Sequence, residues 1–487
     1  SHARTAADPS PGIPGSARVA AARSSSFTGV PGAAPISRPT PISAPDADIP
    51  RTPSRSRKNA PTAGTRTFRI QSSAISAVSD SSWKIEQACP QCGAPVVLDE
   101  ADRLLSCPFC RTRLYLATPD HFRYHIPAPD RGGEDRIYLP YWRLRGLSFT
   151  VQAGEISPRF VDTSMLATGA HGLPRSLGLR PQAMTVRYTS PDLPGQFMEA
   201  SLQARTAVLA MESSGPAGRS DYRAFVGETV SLVYAPADLR GGILYDALLK
   251  RPLSPWNEHA AARKPSKMKP PNWQVRFIST LCPHCGWDLA GERDAQVMIC
   301  GNCDSAWQCA GTRFERVPFS VMAASSRKEV LYLPFWRITP RVEGLPLGSY
   351  ADLIRLANLP KAVDSGFEKK PAFFWAPAFK LSPALFLRWA RQMTAFQPEG
   401  KAGESLAGAP FHPATLAGRE AVESLKVTLA SLAVDKRQVC SMLTEMRVSA
   451  AEIMLVYQPF VVGRHELVHE TMQVAIGRTA LGFGTCL

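Results

Sequence analysis

Cys89-Pro-Gln-Cys92 and Cys107-Pro-Phe-Cys110, with 14 residues between the pairs, are answered by Cys282-Pro-His-Cys285 and Cys300-Gly-Asn-Cys303, again with 14 between. Two residues between cysteines let a tight backbone knuckle aim both sulfurs at one point. A hairpin over the intervening stretch would bring the second knuckle opposite the first, and four thiolates would then close a tetrahedral shell around one ion. In the first set residues 96–98 and 104–105 supply the expected hairpin arms and residues 99–102 the turn. The gap is one residue shorter than the usual pattern, but its repetition outweighs that departure. Cys89, Cys92, Cys107, Cys110, Cys282, Cys285, Cys300 and Cys303 are therefore expected to hold two structural metal ions, with zinc the expected metal.

Working outward from the cysteines, the chain repeats itself. Ile137-Tyr-Leu-Pro-Tyr-Trp-Arg-Leu144 follows the first set and Leu331-Tyr-Leu-Pro-Phe-Trp-Arg-Ile338 follows the second. Leu232-Val-Tyr-Ala-Pro236 returns as Leu455-Val-Tyr-Gln-Pro459, and residues 179–185 are weakly echoed by 387–394. The offset is 193 at the first cysteine, 194 at the Tyr-Leu-Pro segment, about 209 at the weak match and 223 at the last. An offset that grows in one direction is what a duplication with insertions in its second copy produces.

The expected fold class is α+β, with each cysteine set heading a β-rich domain that carries some helices. Residues 183–188, 204–211, 229–234 and 452–462 are rich in β-branched and aromatic side chains and read as strands. The proline inside each Tyr-Leu-Pro segment predicts a sheet edge or a bulge. Ser382-Pro383 predicts a helix start, after which Leu385, Phe386, Trp389, Met393 and Phe396 fall near one face. A second helix is expected over 415–432, with Val422, Leu425, Leu429 and Leu432 aligned. The boundaries read from these signals are a tail at 1–80, a first metal module at 81–118, a domain at 119–262, a basic linker at 263–280, a second metal module at 281–312 and a last domain at 313–487.

The net charge is +15, and residues 1–80 hold ten Lys/Arg against four Asp/Glu. This tail is rich in Ser, Pro and Ala, and too poor in large apolar groups to offset the entropy of ordering, so disorder is expected. Its most basic patch is Arg51-Thr-Pro-Ser-Arg-Ser-Arg-Lys58, a solvated run or a contact for nucleic acid or a targeting receptor. Three scattered thiols, Cys309, Cys440 and Cys486, suit a reducing, cytoplasmic compartment. No apolar run reaches 18 residues, so no membrane span is predicted. The chain starts at Ser1 rather than Met, which leaves room for a start or leader ahead of it.

The first knuckles, at residues 89–93 and 282–286, have the Cys-Pro-x-Cys-Gly form and resemble the zinc-ribbon family over about 70 residues in total. The resemblance implies two zinc ribbons and no particular role, because ribbons serve many processes. The Tyr-Leu-Pro-aromatic-Trp segments resemble those of uncharacterised bacterial proteins that carry such a ribbon, which again implies no function. Iron in a rubredoxin-like site is the competing metal, but rubredoxin knuckles lie much farther apart. A catalytic zinc is disfavoured because four thiolates leave no position for water. His284, inside a knuckle, reads as exposed rather than ligating.

His465-Glu466-Leu-Val-His469 matches the HExxH signature of zinc peptidases, in which two imidazoles on one helix face hold the ion beside a general base. Three features oppose it: Glu470 is the only His, Asp or Glu after His469, the residues after it are unlike those of such helices, and the repeat aligns this segment with Gly242–Asp246, which has no histidines. The flanking valines also suggest a strand around a turn at Gly463. The aromatic-basic stretches at 121–125 and 138–145 read as core strands, with base stacking as the alternative. No phosphate loop and no Ser/His/Asp arrangement is present. The expected function is a non-enzymatic protein-interaction or assembly factor. The alternative is nucleic-acid binding through the basic tail and linker, and a metallopeptidase ranks third.

Overall fold

The structure, a computed structural model, describes residues 84–129, 136–178, 184–213, 222–255, 273–401, 405–406 and 408–482, all within one compact unit, Ala74–Leu487. The expected tail at 1–80, the linker over 263–272 and Cys486 lie outside the described residues.

The first half opens with β1 (Lys84–Ala88) and β2 (Pro95–Asp99), an antiparallel pair, then β3 (Leu104–Ser106) and β4 (Arg113–Ala117), a second one. There follow β5 (Phe122–His125), β6 (Arg136–Gln152), β7 (Glu155–Leu166), β8 (Val186–Tyr188), β9 (Gln196–Phe197), α1 (Ala204–Ser213), β10 (Tyr222–Arg240), β11 (Ile243–Asp246) and β12 (Pro252–Pro255). Ten of these strands make one sheet in the order β12-β11-β10-β5-β8-β1-β2, with β6 pairing β10, β7 and β9. Residues 276–279, assigned above to the linker, are instead a strand, β13 (Arg276–Ser279), which joins β4 and β3 in a three-stranded sheet. Trp273 anchors it, buried and donating its indole N–H to Thr118 Oγ1 at 3.0 Å.

In the second half β14 (Leu289–Ala290), β15 (Val297–Cys300), β16 (Ser305–Ala310) and β17 (Arg313–Val317) form a four-stranded sheet. A six-stranded sheet then collects β18 (Phe319–Val321), β19 (Val330–Glu343), β20 (Phe374–Pro377), β21 (Arg447–Val462), β22 (Glu466–His469) and β23 (Ala475–Gly477). The helices of this half are α2 (Tyr350–Ala357), α3 (Ser365–Lys369), α4 (Pro383–Phe396), α5 (Gly418–Glu423), α6 (Leu425–Leu432), α7 (Lys436–Met442) and α8 (Arg478–Gly482). The fold class is thus mixed α+β and mostly strand, as expected.

The helix expected from Ser382-Pro383 is α4, with proline in its first turn and Phe386, Trp389 and Met393 buried. Two local expectations fail. Residues 204–211, read as a strand, belong to α1: Ala204, Ala207 and Ala210 favour the helix, and the small Ala207 packs beside Trp142 and Phe197. The single helix expected over 415–432 is two, α5 and α6. It breaks at Ser424, whose hydroxyl donates back to the Ala421 carbonyl at 2.7 Å.

The two Tyr-Leu-Pro segments lie inside their sheets, not at an edge, and both solve the missing proline N–H in one way. Pro140 on β6 sits between the short parallel neighbour β9, paired at Tyr138, and the antiparallel neighbour β7, paired from Tyr141. Pro334 on β19 sits between a parallel bridge from Tyr332 to Phe411 and β20, paired from Phe335. Each proline carbonyl accepts from the strand-side alanine, Ala167 N at 2.9 Å and Ala378 N at 3.0 Å. On an antiparallel strand a residue's N and C=O point the same way, so each proline meets its alanine with one bond of the pair missing, and the alanine carbonyl accepts instead from Leu202 N at 3.0 Å or Thr415 N at 2.8 Å. The following tryptophans match as well: Trp142 donates to Leu202 O at 2.8 Å, and Trp336 to Leu416 O at 2.9 Å.

The core is not divided where the sequence divides. The far ends of β6 and β10 contribute Leu147, Phe149, Val151, Ala224 and Val226 to the same apolar cluster as Phe335, Trp389 and Leu429. The Phe149 ring lies 6.2 Å from that of Phe386 on α4. At the bulge in β10, Gly227 N donates to Glu420 Oε2 on α5 at 3.0 Å. Each large apolar side chain buried here contributes roughly 1.5–3 kcal/mol.

Candidate metal centres

Each pair of cysteines forms the tip of its own hairpin. Cys89 to Cys92 turn β1 into β2, Cys107 to Cys110 turn β3 into β4, and Cys300 to Cys303 turn β15 into β16. Cys282 to Cys285 lie inside the Leu281–Asp288 bridge. Every knuckle closes on the carbonyl of its first cysteine or on the ladder beyond it: Gly93 N reaches Cys89 O at 2.8 Å, Arg111 N reaches Cys107 O at 3.0 Å, and Gly286 N reaches Cys282 O at 2.9 Å.

The turn requires a left-handed residue directly after the second cysteine. Gly93 and Gly286 fill that place at φ 74° and 73°, and the same place in the other two knuckles falls to Arg111 at 61° and Asp304 at 45°. Glycine adopts this conformation without steric penalty, whereas a side chain there costs about 1–2 kcal/mol.

The four sulfurs of each set converge. Cys89 and Cys110 lie 3.7 Å apart and Cys92 and Cys107 3.6 Å; Cys282 and Cys303 lie 3.7 Å apart and Cys285 and Cys300 3.4 Å. Within each set all ligand atoms are within 4.8 Å of one another. Four sulfurs at about 2.3 Å from one ion are separated by about 3.8 Å along a tetrahedron's edges. The donor sets therefore fit a metal ion with little movement, and all eight cysteines named from the sequence are in place. Two hydroxyls support them: Thr112 Oγ1 lies 3.3 Å from Cys110 Sγ, and Ser305 Oγ lies 3.0 Å from Cys303 Sγ and takes the Trp307 indole N–H at 2.8 Å. Beside a metal-bound thiolate such a hydroxyl turns to donate, which fixes the sulfur's direction.

The hairpin expected between the two knuckles of the first set is absent as a pair, because β2 pairs with β1 and β3 with β4. The acidic turn between them is drawn elsewhere. Glu100 is buried with Arg143 Nη2 at 3.3 Å, and its other oxygen accepts from Ser231 at 3.2 Å and Thr229 at 3.4 Å. Asp102 takes Arg293 from the second set in an ion pair, and Arg293 O accepts from Leu104 N at 2.8 Å. The two sets are thus fastened to each other as well as to the sheets. In the second set the expected pairing does form, Leu289 opposite Cys300.

His284 is exposed and outside the cluster, as expected. Among the described residues, the groups of three or more metal-type side chains drawn together are the two cysteine sets. The HExxH residues are not on a helix: Glu466 and His469 belong to strand β22, and His465 lies in the exposed bend before it. On a strand, residues four apart are about 13 Å apart. His469 has a local task. Its Nδ1 accepts from Thr471 N at 3.3 Å and Met472 N at 3.2 Å, as Asp246 Oδ1 at the end of β11 accepts from Leu248 N at 2.9 Å and Leu249 N at 3.0 Å. Burial pushes the His469 imidazole down to about 4. The aromatic-basic stretches are interior: Phe122, Tyr124, Tyr138, Tyr141, Trp142 and Arg143 are all buried.

Sequence reasoning missed what the knuckles display. Phe109, between Cys107 and Cys110, is 68% exposed, and Trp287, two residues past Cys285, is 61% exposed. For Phe109 the signal was available, because a side chain between two cysteines that converge on one point has no room to turn inward. No helix of the described residues is long and apolar enough to cross a membrane. Neither family models, nor curated proteins, nor solved structures contain a match to this chain.

Proposed function

We propose that this chain is a zinc protein of duplicated build, a non-enzymatic interaction or assembly factor whose two tandem zinc ribbons are rigid platforms for a protein partner. The observation that carries the reading is the placing of Phe109 and Trp287, large apolar side chains held out in solvent by metal-gripping turns. Aromatic residues of this kind anchor interfaces when a partner desolvates them. Zinc is favoured by four thiolates in tetrahedral reach, and a closed shell leaves no place for a reacting water. The duplication is supported by the shared bonding of the two Tyr-Leu-Pro-aromatic-Trp segments and by the parallel turns at Asp246 and His469.

The test is affinity capture with the zinc-loaded chain and with its Phe109→Ala, Trp287→Ala double variant. A specific protein bound by the first and lost from the second, with zinc content unchanged in both, is the expected result. Capture of random RNA or DNA that weakens steeply with salt would replace this reading with the nucleic-acid one. Equal capture by both proteins would remove the ribbons from it.

A further inference from the structure

Arg143 and Arg337 hold the same place in the two Tyr-Leu-Pro-aromatic-Trp-Arg segments, and their surroundings differ in one respect. Arg143 is buried between two carboxylates, Glu100 at 3.3 Å and Asp162 at 3.0 Å. Around Arg337 the corresponding contacts are uncharged. Its guanidinium lies over the Phe373 ring at 4.6 Å, and its Nη2 is 3.3 Å from Met454 Sδ. Among the described residues no carboxylate lies within ion-pair distance of it.

Where the first half has carboxylates, the second has a cavity of about 460 Å³, a volume suited to a small organic molecule. Arg337 and Trp375, cross-strand partners on β19 and β20, both line it. Trp375 is 2% exposed, with its indole N–H sealed from the cavity, so it contributes ring surface to the wall. Gln397, also at the wall, is already spent: it accepts from Phe373 N at 3.0 Å and donates to Thr394 O at 2.6 Å. At the rim Lys370 and Glu399 pair with each other, which leaves Arg337 as the uncompensated charge. Phe373 and Met322 supply an apolar wall.

We propose that this cavity binds a small organic monocarboxylate, its carboxylate on Arg337 and its apolar body against Phe373 and Met322. A guanidinium presents two parallel N–H groups that match a planar carboxylate. A phosphoryl group carries more charge and more acceptors than one arginine supplies, so it is the poorer occupant. The ligand in effect takes the place that Glu100 and Asp162 fill in the first half.

Benzoate tests this, with benzamide as its uncharged counterpart, by saturation-transfer NMR on the full zinc-loaded chain. Benzoate is expected to bind saturably, and benzamide and the Arg337→Gln variant to give binding weaker by about tenfold or more. Arg337→Lys, which keeps the charge and removes the two parallel N–H groups, is expected to weaken benzoate about fivefold and guards against an Arg337→Gln variant that does not fold. Absence of saturable benzoate binding, equal binding of benzamide, or binding unchanged in both variants would overturn the assignment.

Discussion

The carboxylate of Glu100 lies 3.3 Å from the guanidinium of Arg143, both fully buried, so the turn between the first two knuckles is bolted to the middle of β6. Removing one partner of a buried ion pair leaves an uncompensated charge and costs about 3–5 kcal/mol, whereas replacing both with apolar groups of similar volume is far cheaper. Glu100→Ala is expected to fall near the lower bound, because Asp162 still faces Arg143. Urea melts of Glu100→Ala and of Arg143→Met check this, since Arg143→Met takes the guanidinium from both Glu100 and Asp162 and is expected to cost more. A Glu100→Ala variant less stable than Arg143→Met would contradict it.

Metal content follows from the paired sets. Elemental analysis of the chain is expected to find two zinc ions, and Cys107→Ser one, with the second site still loaded. Ser305→Ala is expected to lower zinc affinity at the second site by about 10- to 100-fold, measured by chelator competition, because its hydroxyl steadies Cys303.

The left-handed residues after the second cysteines offer a conformational test free of packing. Arg111→Gly is expected to stabilise its knuckle by about 0.5–1 kcal/mol, the relief of a strained φ less the added freedom of the unfolded chain. Gly93→Ala is expected to destabilise by about 1 kcal/mol, since no atom lies within 4 Å of the added methyl and φ alone is probed. Thermal melts of the zinc-loaded variants should shift in opposite directions.

Acid should weaken the fold through two buried imidazoles. Burial pushes His125 and His469 down to about 4, while an unfolded histidine titrates near 6.5. As pH falls from about 6.5 to about 4 the unfolded chain takes up protons that the folded one refuses, so stability declines through that window and not further below it on their account. The loss is about 1.4 kcal/mol for each unit separating folded and unfolded values. His469→Asn keeps an acceptor for the turn amides and removes the titration, so its urea midpoint should depend less on pH than that of the parent, both loaded with zinc.

The cysteine spacing made all eight candidate metal-ligating cysteines legible, because knuckle geometry is local and writes itself into four or five consecutive residues. The strand patterns at 229–234 and 452–462 were equally plain, and both segments lie in the long central strands β10 and β21. What the sequence hid depends on partners far along the chain. Pro140 and Pro334 read as edge residues because nothing local tells that two neighbours part beside them. Glu100 reads as a surface turn residue until Arg143, 43 positions later, claims it. Residues 204–211 mix strand and helix formers, and the choice falls to the crowded space beside Trp142, which admits Ala207 on a helix.

The reach of β6 and β10 into the far core has a consequence for inheritance. Phe149 and Val226 are encoded in one half of the chain and buried among residues of the other. A recombination event that replaced either half with a diverged relative would leave Phe386 and its neighbours facing a surface selected for different shapes. The two halves can therefore diversify only in step, so descendants of this chain should keep both halves together and change facing positions jointly.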